Sequence, residues 1–470
     1  MRKKKILIIV LFQNLIDEEP YYAKMPAPPL PGLLLAGMTP NIVDVEVLHE
    51  MVRPIDYNSN ADFIAISFMD YLLPHAIEVA SKFRELGKIV IGGGKFCSTF
   101  PNEADPYFDS LCIGEAQGVW EKMVFDMVSG SLQKRYYSDS VPSLDNIPPP
   151  RYDLAEKVFT TPIVTEATRS CTHSCSYCQL TIKKLPYRLR PVADVVADLK
   201  NIRGLTYLRR KTAMIYDNHL GGNLAYSKEL LKEIKKLNFW AVGVQFSIEC
   251  LRDDDFIDLL DKANVRMAFI GMESLDDNSL KGVNKNQNKV EEYKDLFYKL
   301  HSRGILTFTG LIFALEEDTQ EYYDKLPEKL EEVGVAAILS SIAIPLYGTP
   351  LYKKTLAEGR ITDFDISHYE GDHLVFRHPI LSEDEIYSAY YKVNKVFFSP
   401  KSMIKRWYRL MRQIKANRSF WKYVFKVIFC SVVYFQISIF QRDHALKRVF
   451  KRKNNEIDHV PEEEFIKEVG

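Results

Sequence analysis

The chain has 470 residues, 46% of them hydrophobic, with 62 basic and 62 acidic side chains and no net formal charge. This length supports two to three domains, each able to bury a full core, and the balanced charge argues against a nucleic-acid binder over the whole surface. Seven cysteines are too few for a disulfide scaffold and fit a reducing, cytoplasmic compartment.

The sequence opens Met1-Arg-Lys-Lys-Lys5, followed by apolar Ile6 to Phe12. Seven apolar residues with no small-residue cleavage site read as a first buried strand, not a signal peptide. Further apolar runs follow at Val43–Leu48, Phe63–Phe68, Ile89–Ile91 and Leu111–Ile113, and His75 to Leu86 carries apolar residues at helical spacing. This alternation predicts an α/β fold with a doubly wound, Rossmann-like sheet over residues 1–135, its ligand crevice at the carboxyl ends of the strands. Ser67, Gly92, Gly93, Gly114 and Glu115 fall at those ends. Glycines there let a backbone approach a ligand closely, although ordinary turns use the same residues.

Residues 136–159 form a linker containing Pro148-Pro-Pro150. From about 160 to 375, strands beginning near Ile163, Thr212, Val242, Met267, Thr307 and Ala337 alternate with helices near Val192–Ile202, Tyr226–Leu237, Asp254–Lys262, Val290–Ser302 and Glu321–Val333. Six βα units predict a partial, open (β/α)6 barrel with its chemistry at the strands' carboxyl ends. After the first strand comes Arg169-Ser-Cys-Thr-His-Ser-Cys-Ser-Tyr-Cys-Gln179, which groups Cys171, Cys175 and Cys178. Structural zinc and ordinary electron-transfer clusters are closed by four protein ligands. Three thiolates leave one iron of a cubane open to an exogenous ligand, and an open iron predicts an enzyme. The rival is a non-catalytic zinc or iron–sulfur protein closed by His173 or by one of Cys97, Cys112, Cys250 and Cys430. No second C-x2-C or H-x3-H half-site accompanies it.

Other strand ends supply candidate contacts for a bound cosubstrate: Asp217 after Met214-Ile-Tyr, Glu249 in Phe246-Ser-Ile-Glu, and Glu273 in Gly271-Met-Glu-Ser274. The cysteine segment, with Tyr177 just before its last cysteine, resembles the signature of radical S-adenosylmethionine (SAM) enzymes. Pro28-Pro-Leu-Pro-Gly-Leu-Leu-Leu-Ala36, Val90-Ile-Gly-Gly-Gly94, Pro101-Asn-Glu-Ala104, Ile113-Gly-Glu-Ala116 and Pro148-Pro-Pro-Arg-Tyr-Asp153 resemble, in order, blocks of the cobalamin-binding members of that family.

The resemblance covers about residues 1 to 400 and implies three cofactors: a 4Fe-4S cluster on Cys171, Cys175 and Cys178, SAM at its open iron, and cobalamin over the N-terminal sheet edge. It places Tyr177 near the adenine and assigns SAM contacts to Glu273 and to Lys285, twelve residues on. It carries Ile312 over from the family's Gly-x-Ile-x-Gly segment, where Ala314 stands for the second glycine. It also implies an external one-electron reductant of flavodoxin or ferredoxin type.

Two departures bear on cobalamin. The Asp-x-His-x-x-Gly motif is missing, since His49 and His75 do not fit it, and Lys95 stands where many relatives carry histidine. The expected reaction is cobalamin-dependent methyl transfer to an unactivated carbon of a lipid-like or natural-product substrate. With a vestigial cobalamin domain it becomes cyclisation, rearrangement or carbon–carbon bond formation. Ile344 to Tyr352 and Glu358-Gly-Arg-Ile361 also match the family, and substrate is expected near there. His368, His373 and His378 receive no catalytic role.

Residues 376–470 are expected to form a helical basic region. From Lys401 to Lys453, fifteen Lys and Arg stand against one acid, Asp443, a net charge of +14. Trp407, Tyr408, Phe420, Trp421, Tyr423 and Phe425 intersperse them, and the apolar stretch Val427–Phe440 is too short to cross a bilayer. Such a segment either makes peripheral contact with anionic lipid or caps the barrel bottom with a solvated basic face; nucleic acid is a weaker third partner. Glu462, Glu463 and Glu464 restore the charge balance.

Overall fold

The computed structural model describes residues 2–12, 27–138, 141–416 and 420–454; the acidic run at Glu462–Glu464 lies outside them. Strands β1 (Lys5–Val10), β2 (Asp44–His49), β3 (Phe63–Phe68), β4 (Ile89–Gly94), β5 (Ser110–Ile113) and β6 (Arg135–Tyr137) pair in parallel in the order β2-β1-β3-β4-β5-β6. Helices α1 (Leu30–Met38), α2 (Leu73–Glu85), α3 (Lys95–Thr99), α4 (Pro101–Ala104) and α5 (Trp120–Ser129) connect them. Both faces of the sheet are covered, which is why the strands read as unbroken apolar runs. Ile6, Ile8, Phe63 and Ala65 share a core with Leu33, Trp120 and Met123. Leu7, Ile9, Ile64 and Ile66 pack instead with Val79 and Phe83 of α2.

The expected doubly wound sheet is therefore present, with four helices (α1, α3, α4 and α5) and an edge strand that the sequence pattern did not mark. α1 (LPGLLLAGM) is apolar nearly all round, so it shows no helical period. Strand β6 carries the domain to Tyr137, and the linker beyond is strapped down. Arg151 N–H donates to Leu33 O at 3.0 Å, and a Cβ on Gly37 would meet Pro149 O at 2.3 Å.

The second sheet contains β7 (Ile163–Thr165), β10 (Thr212–Ile215), β11 (Ala241–Phe246), β12 (Val265–Glu273), β13 (Leu306–Phe313) and β14 (Ala337–Ile342), all parallel, in the order β7-β10-β11-β12-β13-β14. A two-strand hairpin, β8 (Thr168–Arg169) and β9 (Arg188–Leu189), interrupts it after β7. The helices are α6 (Val192–Lys200), α7 (Leu224–Lys236), α8 (Asp254–Lys262), α9 (Asp277–Gly282), α10 (Tyr293–Ser302), α11 (Gln320–Val333) and α12 (Pro350–Ala357). Asn223, Asp253, Asp276, Thr319 and Thr349 each accept from the backbone N–H three residues on. These caps fix where α7, α8, α9, α11 and α12 start. The sheet does not close, as expected of a partial (β/α)6 barrel.

Three helices follow: α13 (Glu383–Phe397), α14 (Pro400–Gln413) and α15 (Phe420–Asn454). α15 runs beneath the amino ends of the barrel strands. Cys430 Sγ donates to Gly304 O at 3.3 Å, and Lys426 Nζ reaches Asp261 Oδ1 at 2.8 Å and Arg303 O at 2.9 Å. Leu306, Ala336, Cys430 and Tyr434 form one apolar cluster there. By length and hydropathy Tyr423–Leu446 would suffice to cross a membrane, but one face of it is committed to the barrel.

Within the barrel, Arg190 and Asp198 are almost fully buried and paired at 2.6 Å. Arg190 also donates to Glu166 O at 2.9 Å, just ahead of the cysteine loop. Replacing Arg190 with Leu leaves the buried Asp198 carboxylate with only the Thr165 hydroxyl as partner and no counter-charge, a situation that costs about 3–5 kcal/mol. Denaturant midpoints are expected to fall accordingly for Arg190→Leu and to recover largely in Arg190→Leu/Asp198→Leu.

Candidate active site

The cysteine loop leaves the carboxyl end of β7 and is held on every side. Asp217, just beyond β10, accepts from Ala167 N–H (2.7 Å), Thr168 N–H (3.1 Å) and Thr168 Oγ1 (3.0 Å). Burial pushes its carboxyl up to about 7 despite these donors. Asp217 is buried and its oxygens meet two backbone N–H groups and one hydroxyl at the entry to the loop, so it anchors the loop instead of facing a bound cosubstrate. That corrects its expected role. Farther along, Ser176 N–H donates to Val283 O and Leu351 N–H to Ser176 O, each at 3.0 Å, tying the loop to α9 and α12.

Cys171, Cys175 and Cys178 are all free of disulfides, and Cys175 is buried. Burial raises the Cys171 and Cys178 thiols, and the charge of neighbouring cysteines pushes them further up. Such crowding favours a cationic metal centre that takes the thiols as thiolates. His173 does not serve as a fourth ligand, because its Nε2 turns to Glu249 Oε1 at 2.7 Å.

Glu249 is the centre of a polar knot. It receives His173, His219 Nε2 (3.5 Å) and the Ser247 hydroxyl. Ser247 N–H donates to His219 Nδ1 at 3.2 Å, which leaves the proton of a neutral His219 on Nε2, aimed at Glu249. Burial raises the Glu249 carboxyl, and His173, His219 and Ser247 more than reverse this, holding it well below the ordinary range. The sequence did not single out His219, and nothing in its spacing marks it.

Glu273 and Lys285 come together as expected, with Nζ 3.2 Å from Oε1. The Lys285 ammonium also lies 3.4 Å from Tyr177 Oη. Burial works against that ammonium, but Glu273 and the Cys175 thiol raise it above the usual lysine range. Space for the pair is made by two glycines: a Cβ on Gly271 would meet Glu273 Oε1 at 2.6 Å, and one on Gly310 would meet Oε2 at 2.7 Å. The register of β12 shifts here, and Glu273 itself sits at φ 65°, a left-handed conformation costly for any residue that carries a Cβ. Ala314 has φ 64°, which explains why a glycine suits that place; Ile312 is half-buried against the same core.

Facing the barrel, the carboxyl ends of the N-terminal strands enclose a cavity of about 500 Å3. Its wall combines Leu34 and Trp120 from the N-terminal domain with Glu166, Arg169 and Tyr216 from the barrel. Ser67, Gly93, Gly114 and Glu115 line it as expected. Gly92 does not: a Cβ there would strike the Phe108 ring at 2.7 Å, so this glycine serves packing between β4 and its neighbour. A Cβ on Gly93 meets nothing nearer than 3.8 Å, leaving open room for a large flat ligand.

Glu115 accepts from Arg169 at 2.6 Å and from Arg188, on either side of the cysteine loop. Burial raises its carboxyl, but the two guanidiniums keep it below the usual range. Arg169, which directly precedes the cysteine motif, was the available signal for this junction. Lys95 opens α3 at the same seam. Burial lowers its ammonium, against the opposing influence of Asp70 and Cys178. His368 pairs with Asp363 at 2.6 Å and His378 with Leu315 O at 2.7 Å, so both serve packing.

Lys285→Met removes a cation that the buried Glu273 needs and that an incoming carboxylate would meet. Charge-assisted bonds of this kind are worth about 1.5–3 kcal/mol, so affinity for SAM is expected to fall about ten- to a hundredfold by calorimetry, with iron content unchanged.

The comparisons with known proteins agree with this geometry. Residues 165–330 match the radical SAM superfamily and residues 349–448 a domain of unknown function, DUF4070. Bacteriochlorophyllide d C-8(2)-methyltransferase of Chlorobaculum tepidum is 25% identical over 88% of this chain and 93% of its own length. The C-12(1)-methyltransferase of the same organism is 23% identical over 80% and 84%. The solved structure of OxsB, a cobalamin-dependent SAM radical enzyme with aqua-cobalamin and SAM bound, aligns with a TM-score of 0.62 at 15% identity, covering 99% of this chain and 78% of that one. Residues 165–330, which carry the three thiols at the carboxyl ends of the barrel strands, thus match the radical SAM superfamily, and the whole chain shares the fold of OxsB.

Proposed function

We propose that this enzyme methylates an unactivated carbon of a small, largely apolar, ring-containing molecule. The cavity of about 500 Å3 carries the reading, because both domains build it and it opens toward the cysteine loop. Cobalamin-binding radical SAM enzymes combine one-electron cleavage of SAM with a methyl group carried by cobalamin. An external flavodoxin- or ferredoxin-type protein would supply the electron.

The chain's own residues would divide the work. Cys171, Cys175 and Cys178 hold the cluster and leave its fourth corner to SAM. Lys285 offers its ammonium to the SAM carboxylate and Glu273 its free oxygen to the amino group. Glu249, kept ionised by two imidazoles and a hydroxyl, accepts from the ribose. Tyr177 and Ile312 provide the apolar surroundings of the adenine. The glycine edge at Gly93 and Gly114, with Ser67, receives the corrinoid or its nucleotide tail. The relatives from Chlorobaculum are named for bacteriochlorophyllide d, which supports a planar macrocyclic or polycyclic substrate.

Anaerobic reconstitution with iron, sulfide and hydroxocobalamin tests the reading. Under reductant, SAM is expected to yield 5'-deoxyadenosine, and corrinoid absorbance should approach one equivalent per chain. Absence of corrinoid uptake would sink the methylase assignment while leaving the radical SAM one intact. Gly93→Leu fills the open edge without a backbone clash, so bound corrinoid is expected to drop at least about tenfold, equivalent to roughly 1.4 kcal/mol, at constant iron.

A further inference from the structure

α15 carries apolar side chains on both of its faces. The face turned to the barrel buries Cys430, Tyr434 and Ala445 together with Lys426, Ser438 and Gln441. The face turned outward carries Trp421, Phe425, Ile428, Val432 and Ile439, between 45% and 76% exposed. Those positions lie three, four or seven residues apart and so fall on one stripe of the helix, which Gln436 interrupts. A cap meant only to shield the barrel bottom would present its charges there.

The stripe continues onto the barrel itself. Phe425 contacts Trp240 (ring centroids 5.8 Å), and Trp240 contacts Tyr207 (6.2 Å). Tyr207 and Leu208 are 62% and 66% exposed on the lower rim. α14 packs alongside through Trp407, whose Nε1 donates to Ser431 Oγ at 2.9 Å. It adds exposed Ile404 and Tyr408 between Lys401, Lys405 and Arg412. Exposed apolar surface of this extent marks an interaction site.

We propose that this face docks the enzyme on an anionic lipid surface, with α15 lying in the plane of the interface. Charge complementarity selects the partner: Lys401, Lys405, Arg412 and Lys415 are exposed along α14 and just after it, and each cation near an anionic leaflet adds attraction. Tryptophan and tyrosine at the rim suit the headgroup region. The helix does not cross the bilayer, because Lys426 and Cys430 hold its other face to the barrel and Tyr434 holds it to Met403 O of α14. The cysteine loop lies at the opposite ends of the strands. Docking therefore leaves the catalytic mouth facing water, and the substrate does not enter from the lipid along this face.

Flotation of the full-length reconstituted enzyme decides the matter, using vesicles of phosphatidylcholine alone and of phosphatidylcholine with phosphatidylglycerol at about three to one. Recovery is expected on the anionic vesicles, about tenfold above that on phosphatidylcholine alone, and lowered by salt. Trp421→Glu/Ile428→Glu should reduce anionic recovery about tenfold while 5'-deoxyadenosine formation stays unchanged. If that double variant does not fold, Trp421→Ser supports the same comparison. Equal recovery of wild type on both vesicles, or of variant and wild type on anionic ones, overturns the proposal. So does a dimer in light scattering that the same substitutions split, which would assign the face to a second copy of the chain.

Discussion

Two parallel sheets face each other through their carboxyl ends, and one carboxylate fixes that relation. Glu115, at the end of β5, is clasped by Arg169 and Arg188, which stand immediately before and after the cysteine loop. The contact is largely withdrawn from water, so neither guanidinium can leave without stranding a charge. It thereby sets the distance between the cavity of the first domain and the thiols of the second. Gln179 to Asp70 (2.6 Å), Lys183 to Ser98 O (2.7 Å) and His49 to Glu156 (2.5 Å) support the same seam. Their geometry makes one site out of two domains.

Within the barrel, charge has been concentrated where water is scarce. Three thiols, Lys285, Glu273 and Glu249 lie among strand ends that glycines have cleared. Electrostatic terms are stronger in such surroundings than in solution. Each charged group is correspondingly matched: Lys285 with Glu273, Glu249 with two histidines, Asp217 with three backbone and hydroxyl donors. The left-handed backbone at Glu273 and Ala314 belongs to the same arrangement. Strain of this kind persists only where surrounding contacts over-determine it, and β12 and β13 supply those contacts.

The lower end of the molecule obeys a different logic. There, a long helix closes the barrel and leaves aromatic and aliphatic side chains outside. The full length of the strands separates this surface from the cysteine loop.

By itself the sequence determined the fold class, the six βα units and the metal ligands, because these depend on local periodicity and on spacing within eleven residues. Glu273 and Lys285 were also legible, twelve positions apart in one motif. The tertiary structure alone decided which of these groups meet a ligand. Asp217 and Glu249 both end strands, yet one is consumed by backbone donors and the other is held ionised by histidines from separate loops. Gly92 and Gly93 are adjacent, yet alternate sides of β4 send one toward Phe108 and the other toward the cavity. The clasp on Glu115 joins residues 54 and 73 positions apart, and α15 reveals its outward face only once its inner face is docked. Such choices depend on what packs against each face, and packing partners distant in the chain leave no trace in local pattern.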